Sequence, residues 1–105
     1  MIATNESKNN RAYELIRHYI PIQTARKTKE NGEFLIVSNS FGTIYYLNNV
    51  AHDIWDYING ENSIEDIFVK VISIYDISED YLKYDIMELI RNLQWNKLIK
   101  LKEPV

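Results

Sequence analysis

The sequence predicts a small α+β domain: a three-stranded antiparallel sheet followed by three helices. Three observations carry that prediction. From Ile22 to Lys29 the side chains follow a period of two, and two further short strand-like runs, Phe34–Val37 and Thr43–Leu47, each follow a turn-forming cluster. After Asn48 the period changes to that of a helix, and three apolar stripes follow, each behind an Asn or Ser suited to N-capping. Between the two regimes, the run from Gly42 to Gly60 passes from a short apolar strand into an amphipathic helix with no linker.

Taken in order, residues 1–20 read as an N-terminal extension. Residues 1–9 are polar. Asn10–Tyr19 carry the pattern of a short helix, with Tyr13, Ile16 and Ile20 to one side. Pro21 disfavours the helical conformation at Ile20 and bars continuation. This helix reads as an appendage to a domain spanning residues 21–102.

From Ile22 to Lys29, Ile22, Thr24, Arg26 and Thr28 alternate with Gln23, Ala25, Lys27 and Lys29, the pattern of one half-exposed strand. Asn31-Gly32 signals a turn, because both residues tolerate positive φ. Phe34–Val37 make the second strand, Ser38–Gly42 a second turn, and Thr43–Leu47 the third strand. Asn48 or Asn49 caps the first core helix, whose stripe is Val50, Ile54, Trp55 and Ile58, with Trp55 expected in the core. Gly60 is assigned its left-handed C′ position. Ser63 caps the second helix, with Asp66 placed for a near-capping box and a stripe of Ile64, Ile67, Phe68, Val71, Ile72 and Tyr75. Ser78 caps the third, and Glu79 and Asp80 suit the positive end of its dipole. Leu82, Ile86, Leu89, Ile90 and Leu93 line its buried face, and Leu98–Leu101 fit a short terminal strand. Helices covering one face of a small sheet is the layout expected.

Composition excludes several classes of function. The 105 residues suit one domain, and a 46% hydrophobic share supplies a core. There is no cysteine, which removes disulfides, thiolate metal sites and Cys nucleophiles. No apolar run approaches membrane-spanning length, and the first residues lack a signal-peptide core, so a cytoplasmic location is expected. The net charge is −3, and the basic patches, Arg26–Lys29 and Lys97, Lys100 and Lys102, sit in or beside strands. That fits a solvated strand face better than a phosphate track. His18 and His52 lie in different segments, and no paired-ligand spacing exists, so no metal or other cofactor is expected. The acids Asp53 and Asp56, and Glu65 and Asp66, are ordinary for helix surfaces and N-termini. The glycines stand singly, and nothing assembles a nucleophile, a base and an oxyanion donor. The chain reads as a binding module, not an enzyme.

Leu47-Asn48, Ala51, Ile54-Trp55, Asn59-Gly60, Ser63-Ile64-Glu65-Asp66-Ile67, Tyr75, Asp85-Ile86, Ile90, Leu93 and Leu98-Ile99 form an ordered set at fixed spacing. In that set the chain resembles the PqqD family, the small domains also called RiPP recognition elements, from Pro21 to about Leu101. It departs in having Asn59 where the family prefers Asp, and Asn96-Lys97 where the family often has Gly. The resemblance implies a winged helix-turn-helix-like fold. It implies binding of the leader segment of a ribosomally made precursor peptide, added as a strand to the third strand and lying against the third helix. It also implies a partner maturation enzyme, such as a radical SAM enzyme or a leader peptidase.

Candidate peptide-binding residues follow from that placement: Thr43, Ile44, Tyr45, Tyr46 and Leu47 on the third strand, and Asp85, Leu89 and Asn92 on the third helix. Tyr45 and Leu47 share one strand face, and Ile44 and Tyr46 the other. For the tyrosines, plain packing and ligand contact are equally consistent. Asp85, Leu89 and Asn92 follow at i, i+4 and i+7 along one shoulder of the helix, with Lys83 and Met87 on the other. Only the match of Asp85 to a family position favours the first. The competing reading is a DNA-binding winged-helix regulator. Against it, residues 79–96 set four acids against Lys83 and Arg91, a balance of −2. A third reading, an enzyme subunit with an interfacial active site, has no sequence feature behind it. An exposed edge strand also leaves homodimer pairing open.

Overall fold

The segment read as one first strand is two strands that belong to different sheets. In the computed structural model, which describes residues 5–25, 27–31 and 34–104, the order is α1 (Asn5–Ile16), β1 (Ile20–Gln23), β2 (Lys27–Asn31), β3 (Phe34–Ser38), β4 (Ile44–Leu47), α2 (Asn49–Asp56), α3 (Ile64–Ile72), α4 (Glu79–Trp95) and β5 (Ile99–Lys102). The α+β class and a three-stranded antiparallel sheet, β2-β3-β4, are as expected. The order is not: a helix precedes the strands, and β1 leaves the meander to pair antiparallel with β5, Ile20 opposite Lys102 and Gln23 opposite Ile99. Just past β1, the Thr24 N–H donates to the Leu98 carbonyl at 2.8 Å. Pro21, which lacks an N–H, is tolerated in this two-stranded ribbon because its strand has an edge to spare.

In the main sheet, β2 ends with Asn31 opposite Phe34, so residues 32 and 33 connect it to β3. The turn expected at Asn31-Gly32 involves Gly32, which lies outside the described residues. Leu35, Val37 and Leu47 are buried beneath the helices, while Phe34, Ile44 and Tyr46 are exposed on the opposite face. Helices therefore cover one face of this sheet, as the period-two pattern requires.

The caps fall where the sequence puts them. The Asn48 side chain accepts from the Ala51 N–H and opens α2. Ser63 and Asp66 form a complete capping box at α3, and Ser78 accepts from the Tyr81 N–H at α4. Gly60 does have positive φ, +81°, but α2 already ends at Asp56 with Tyr57 as its C-cap. Gly60 therefore serves the α2–α3 connection and is not the C′ residue. There Asn59 Oδ1 accepts from the N–H groups of Glu61 and Asn62, and the Asn62 side chain donates to the Tyr57 carbonyl.

The N-terminal helix is no appendage. Tyr13 is 1% exposed and meets Phe68 edge-on at 5.7 Å between ring centres. The Lys83 ammonium stands 5.2 Å from the Tyr13 ring centre and 5.4 Å from that of Phe68. α1 thus lies over the Lys83–Met87 side of α4. The core it joins includes Ile54, Trp55, Ile58, Ile64, Ile67, Leu82, Ile86, Ile90, Leu93 and Leu98.

Candidate functional site

β4 ends the three-stranded sheet, and its outer edge pairs with no strand among the described residues. Its backbone polarity follows from the register. The Asn39 N–H donates to the Thr43 carbonyl at 3.2 Å, and Ser38, Val37, Ile36 and Leu35 then face Ile44, Tyr45, Tyr46 and Leu47. Antiparallel ladders alternate, so Tyr45 and Leu47 turn their N–H and C=O groups toward β3. Ile44 and Tyr46 turn theirs to the open edge. Their side chains are 56% and 61% exposed.

Beside this edge, the start of α2 and one side of α4 enclose a cleft of about 280 Å³. Tyr45, Asn48, Val50, Ala51, Ile54, Asp85, Glu88, Leu89 and Asn92 line it. Its apolar lining comes from Tyr45, Val50, Ala51, Ile54 and Leu89, its charged lining from Asp85 and Glu88. Glu88 also pairs with Arg91. The pleat directs Tyr45 to the helical side, and the first turn of α2, pinned by the Asn48 cap, brings Val50 and Ala51 to the opening.

The structure brings Tyr45, Asp85, Leu89 and Asn92 into this one cleft. Ile44 and Tyr46 lie on the edge, with side chains on the outer face. Leu47 is wholly buried in the core, with no side-chain access. Thr43 precedes β4, and its N–H is held by Asn39 Oδ1 at 3.0 Å. Leu89 is only 8% exposed, so it belongs to the core as much as to the cleft. The Lys83–Met87 shoulder lies under α1, and the Asp85–Leu89–Asn92 shoulder is the one beside β4. Sequence reasoning missed Asn48, Val50, Ala51, Ile54 and Glu88. The strand-to-helix joint was the available signal, because a helix that starts immediately after an edge strand must place its first turn beside that edge.

Elsewhere, the Tyr75 hydroxyl donates to the Asp53 carboxylate, which raises the tyrosine's pKa and ties the segment after α3 to α2. Burial likewise pushes Tyr13 up. Neither lines the cleft. No group of His, Cys, Asp or Glu among the described residues is arranged to hold a metal ion. No described helix is long and apolar enough to cross a membrane. The cleft combines strand donors and acceptors that face no strand among the described residues with an apolar floor and an acid and amide rim.

No curated protein and no solved structure shows a significant match to the chain. Residues 26–99 match the family described as coenzyme PQQ synthesis protein D (PqqD). That span is most of the chain and contains both the β4 edge and the whole lining of the cleft, so the chain belongs to the PqqD family.

Proposed function

We propose that this chain is a non-catalytic, winged-helix-like module that binds the leader segment of a ribosomally synthesised precursor peptide and presents it to a maturation enzyme. Membership of the PqqD family supports a place in peptide-modification biosynthesis. The observation that carries the specific reading is the unpaired edge of β4 beside the Tyr45–Leu89 cleft. A leader laid along that edge pairs its backbone with the outward groups of Ile44 and Tyr46. Its alternate side chains then fall into the cleft. The maturation enzyme is a radical SAM enzyme or a leader peptidase acting in the cytoplasm, and the module itself carries no cofactor.

The test is calorimetric titration with a synthetic peptide that matches the leader half of a candidate short precursor from the same genome. Binding is expected at about micromolar Kd or tighter, roughly −8 kcal/mol. Absence of heat and of any spectral change at high peptide concentration would overturn the reading.

A further inference from the structure

Two large aromatic side chains stand almost wholly in water: Phe41, 80% exposed, and Trp95, 83% exposed. Single exposed apolar residues are ordinary on a protein surface. The backbone segments that carry them, the turn before β4 and the last turn of α4, are tied to each other through Asn39.

Asp85, Glu88, Asn92 and Trp95 succeed one another at i, i+3, i+7 and i+10, along one face of α4. The first three line the cleft. Trp95 stands about 4.5 Å beyond Asn92 along the helix axis at ~1.5 Å per residue, and that is one to two residues of an extended strand. Asn39 fixes the other side. It is 7% exposed, and its amide nitrogen donates to the Asn96 carbonyl at 2.6 Å. Its Oδ1 accepts from the Phe41 N–H at 2.9 Å and the Thr43 N–H at 3.0 Å. One buried side chain thus ties the turn bearing Phe41, the start of β4 and the last turn of α4. On the flank of Trp95 a second hollow of about 290 Å³ opens, lined also by Arg91, Gln94 and Lys97.

We propose that the peptide groove continues past the start of β4 to an aromatic end formed by Phe41 and Trp95. This end receives an apolar or aromatic side chain that the leader carries about one or two residues beyond its paired strand. The inference rests on the leader-binding reading and adds a contact beyond β4 and its cleft. The occupant is the same extended peptide, because the row that lines the cleft runs on without interruption to Trp95.

Tryptophan emission tests it directly. Trp55 is 3% exposed and already shielded, so a change on binding reports Trp95. The probe is the same synthetic leader peptide, unlabelled for emission and fluorescein-labelled for anisotropy. Saturation should shift Trp95 emission to the blue. Phe41→Ala and Trp95→Ala should each weaken anisotropy-measured binding about ten-fold, with unchanged circular dichroism. Replacing the leader's apolar residue by Ala should weaken binding to the wild type but not to Trp95→Ala. Wild-type affinity in both variants with unmoved emission would end the groove at Asn92, and leader binding itself would stand. A blue shift that follows protein concentration without peptide would mean that a second copy covers Trp95, and would also overturn the inference. Failure of the leader to bind the wild type at all would remove the leader-binding reading and this extension together.

Discussion

Lys97 shows at a single residue how a family departure is absorbed. Helix α4 closes in a Schellman arrangement: the Leu98 N–H donates to the Leu93 carbonyl and the Lys97 N–H to the Gln94 carbonyl. Lys97 is then the C′ residue and must be left-handed, with φ of +60°. A side chain in that region costs ~1–2 kcal/mol, which Gly avoids at an entropic cost of ~0.5–1 kcal/mol in the unfolded chain. Lys97→Gly should therefore stabilise the fold by about 0.5–1 kcal/mol, read as a higher urea midpoint at constant slope. A lowered midpoint would mean that the Lys97 side chain contributes more than its backbone strain. Asn59 is a departure without consequence, because its one acceptor oxygen still closes the turn that a carboxylate would close. Tyr13 is the opposite case. In the sequence it is one aromatic in a short, polar helix. In the fold it is buried, and its hydroxyl has no hydrogen-bond partner among the described groups. Tyr13→Ala should cost ~3–5 kcal/mol, whereas Tyr13→Phe should stay near the wild type, both read by chemical denaturation. The burial of Trp55, by contrast, is legible from its place on a helical stripe and is observed at 3% exposure.

Elements were legible wherever the signal is local. Caps at Asn48, Ser63 and Ser78, and the stripes behind them, are written within one or two turns of chain. The division of the first strand is not. Thr24 and Ala25 lie between β1 and β2 without Gly or Pro, and the alternation runs straight through them. Only β5, at the far end of the chain, decides that Ile20–Gln23 leave the meander. The choice of shoulder on α4 is equally non-local, since it depends on where α1 packs. With that choice visible, β4 gives the sharpest test of strand addition. Tyr46→Pro removes an N–H that points to the open edge, a place where sheets tolerate Pro. It should abolish leader binding in titration while circular dichroism stays native. Tyr45→Pro removes an N–H that bonds β3, and should cost ~3 kcal/mol or more of stability. Asp85→Lys, at the cleft rim, should weaken the leader without unfolding the chain. Leu89→Glu is the poorer probe, because at 8% exposure the new charge is buried even before a peptide arrives. Leader affinity unchanged in both Tyr46→Pro and Asp85→Lys would move the site away from β4.

On the scale of the whole molecule, the segment from α1 to Tyr19 is bound into the domain through the N-terminus of α3. The first N–H groups of any helix lack partners within it. Here the Ile64 N–H donates to the Tyr19 carbonyl at 3.0 Å, and the Glu65 N–H to the Arg17 carbonyl at 2.8 Å. The Ser63 hydroxyl takes the third. The Arg17 guanidinium also holds the Glu65 carboxylate at 2.8 Å. A capping box is visible in sequence. Acceptor carbonyls supplied by residues 17 and 19 are not, because backbone groups carry no residue signature. The consequence is that removal of residues 1–19 strips α3 of two caps, worth ~0.5–1.5 kcal/mol each, and the core of Tyr13, worth ~3–5 kcal/mol. The partly exposed Arg17–Glu65 pair adds at most ~1 kcal/mol. Against a typical stability of ~5–15 kcal/mol, that loss leaves the remaining domain marginal or unfolded. The truncated chain should show a urea midpoint far below that of the full chain, or no cooperative transition. The cleft proposed for the leader lies on the other shoulder of α4, so Tyr13→Ala, measured where it is still folded, should keep wild-type leader affinity. Loss of affinity in folded Tyr13→Ala would show that α1 shapes the cleft through α4. An unchanged midpoint after truncation would show that α1 covers the core without contributing to its stability.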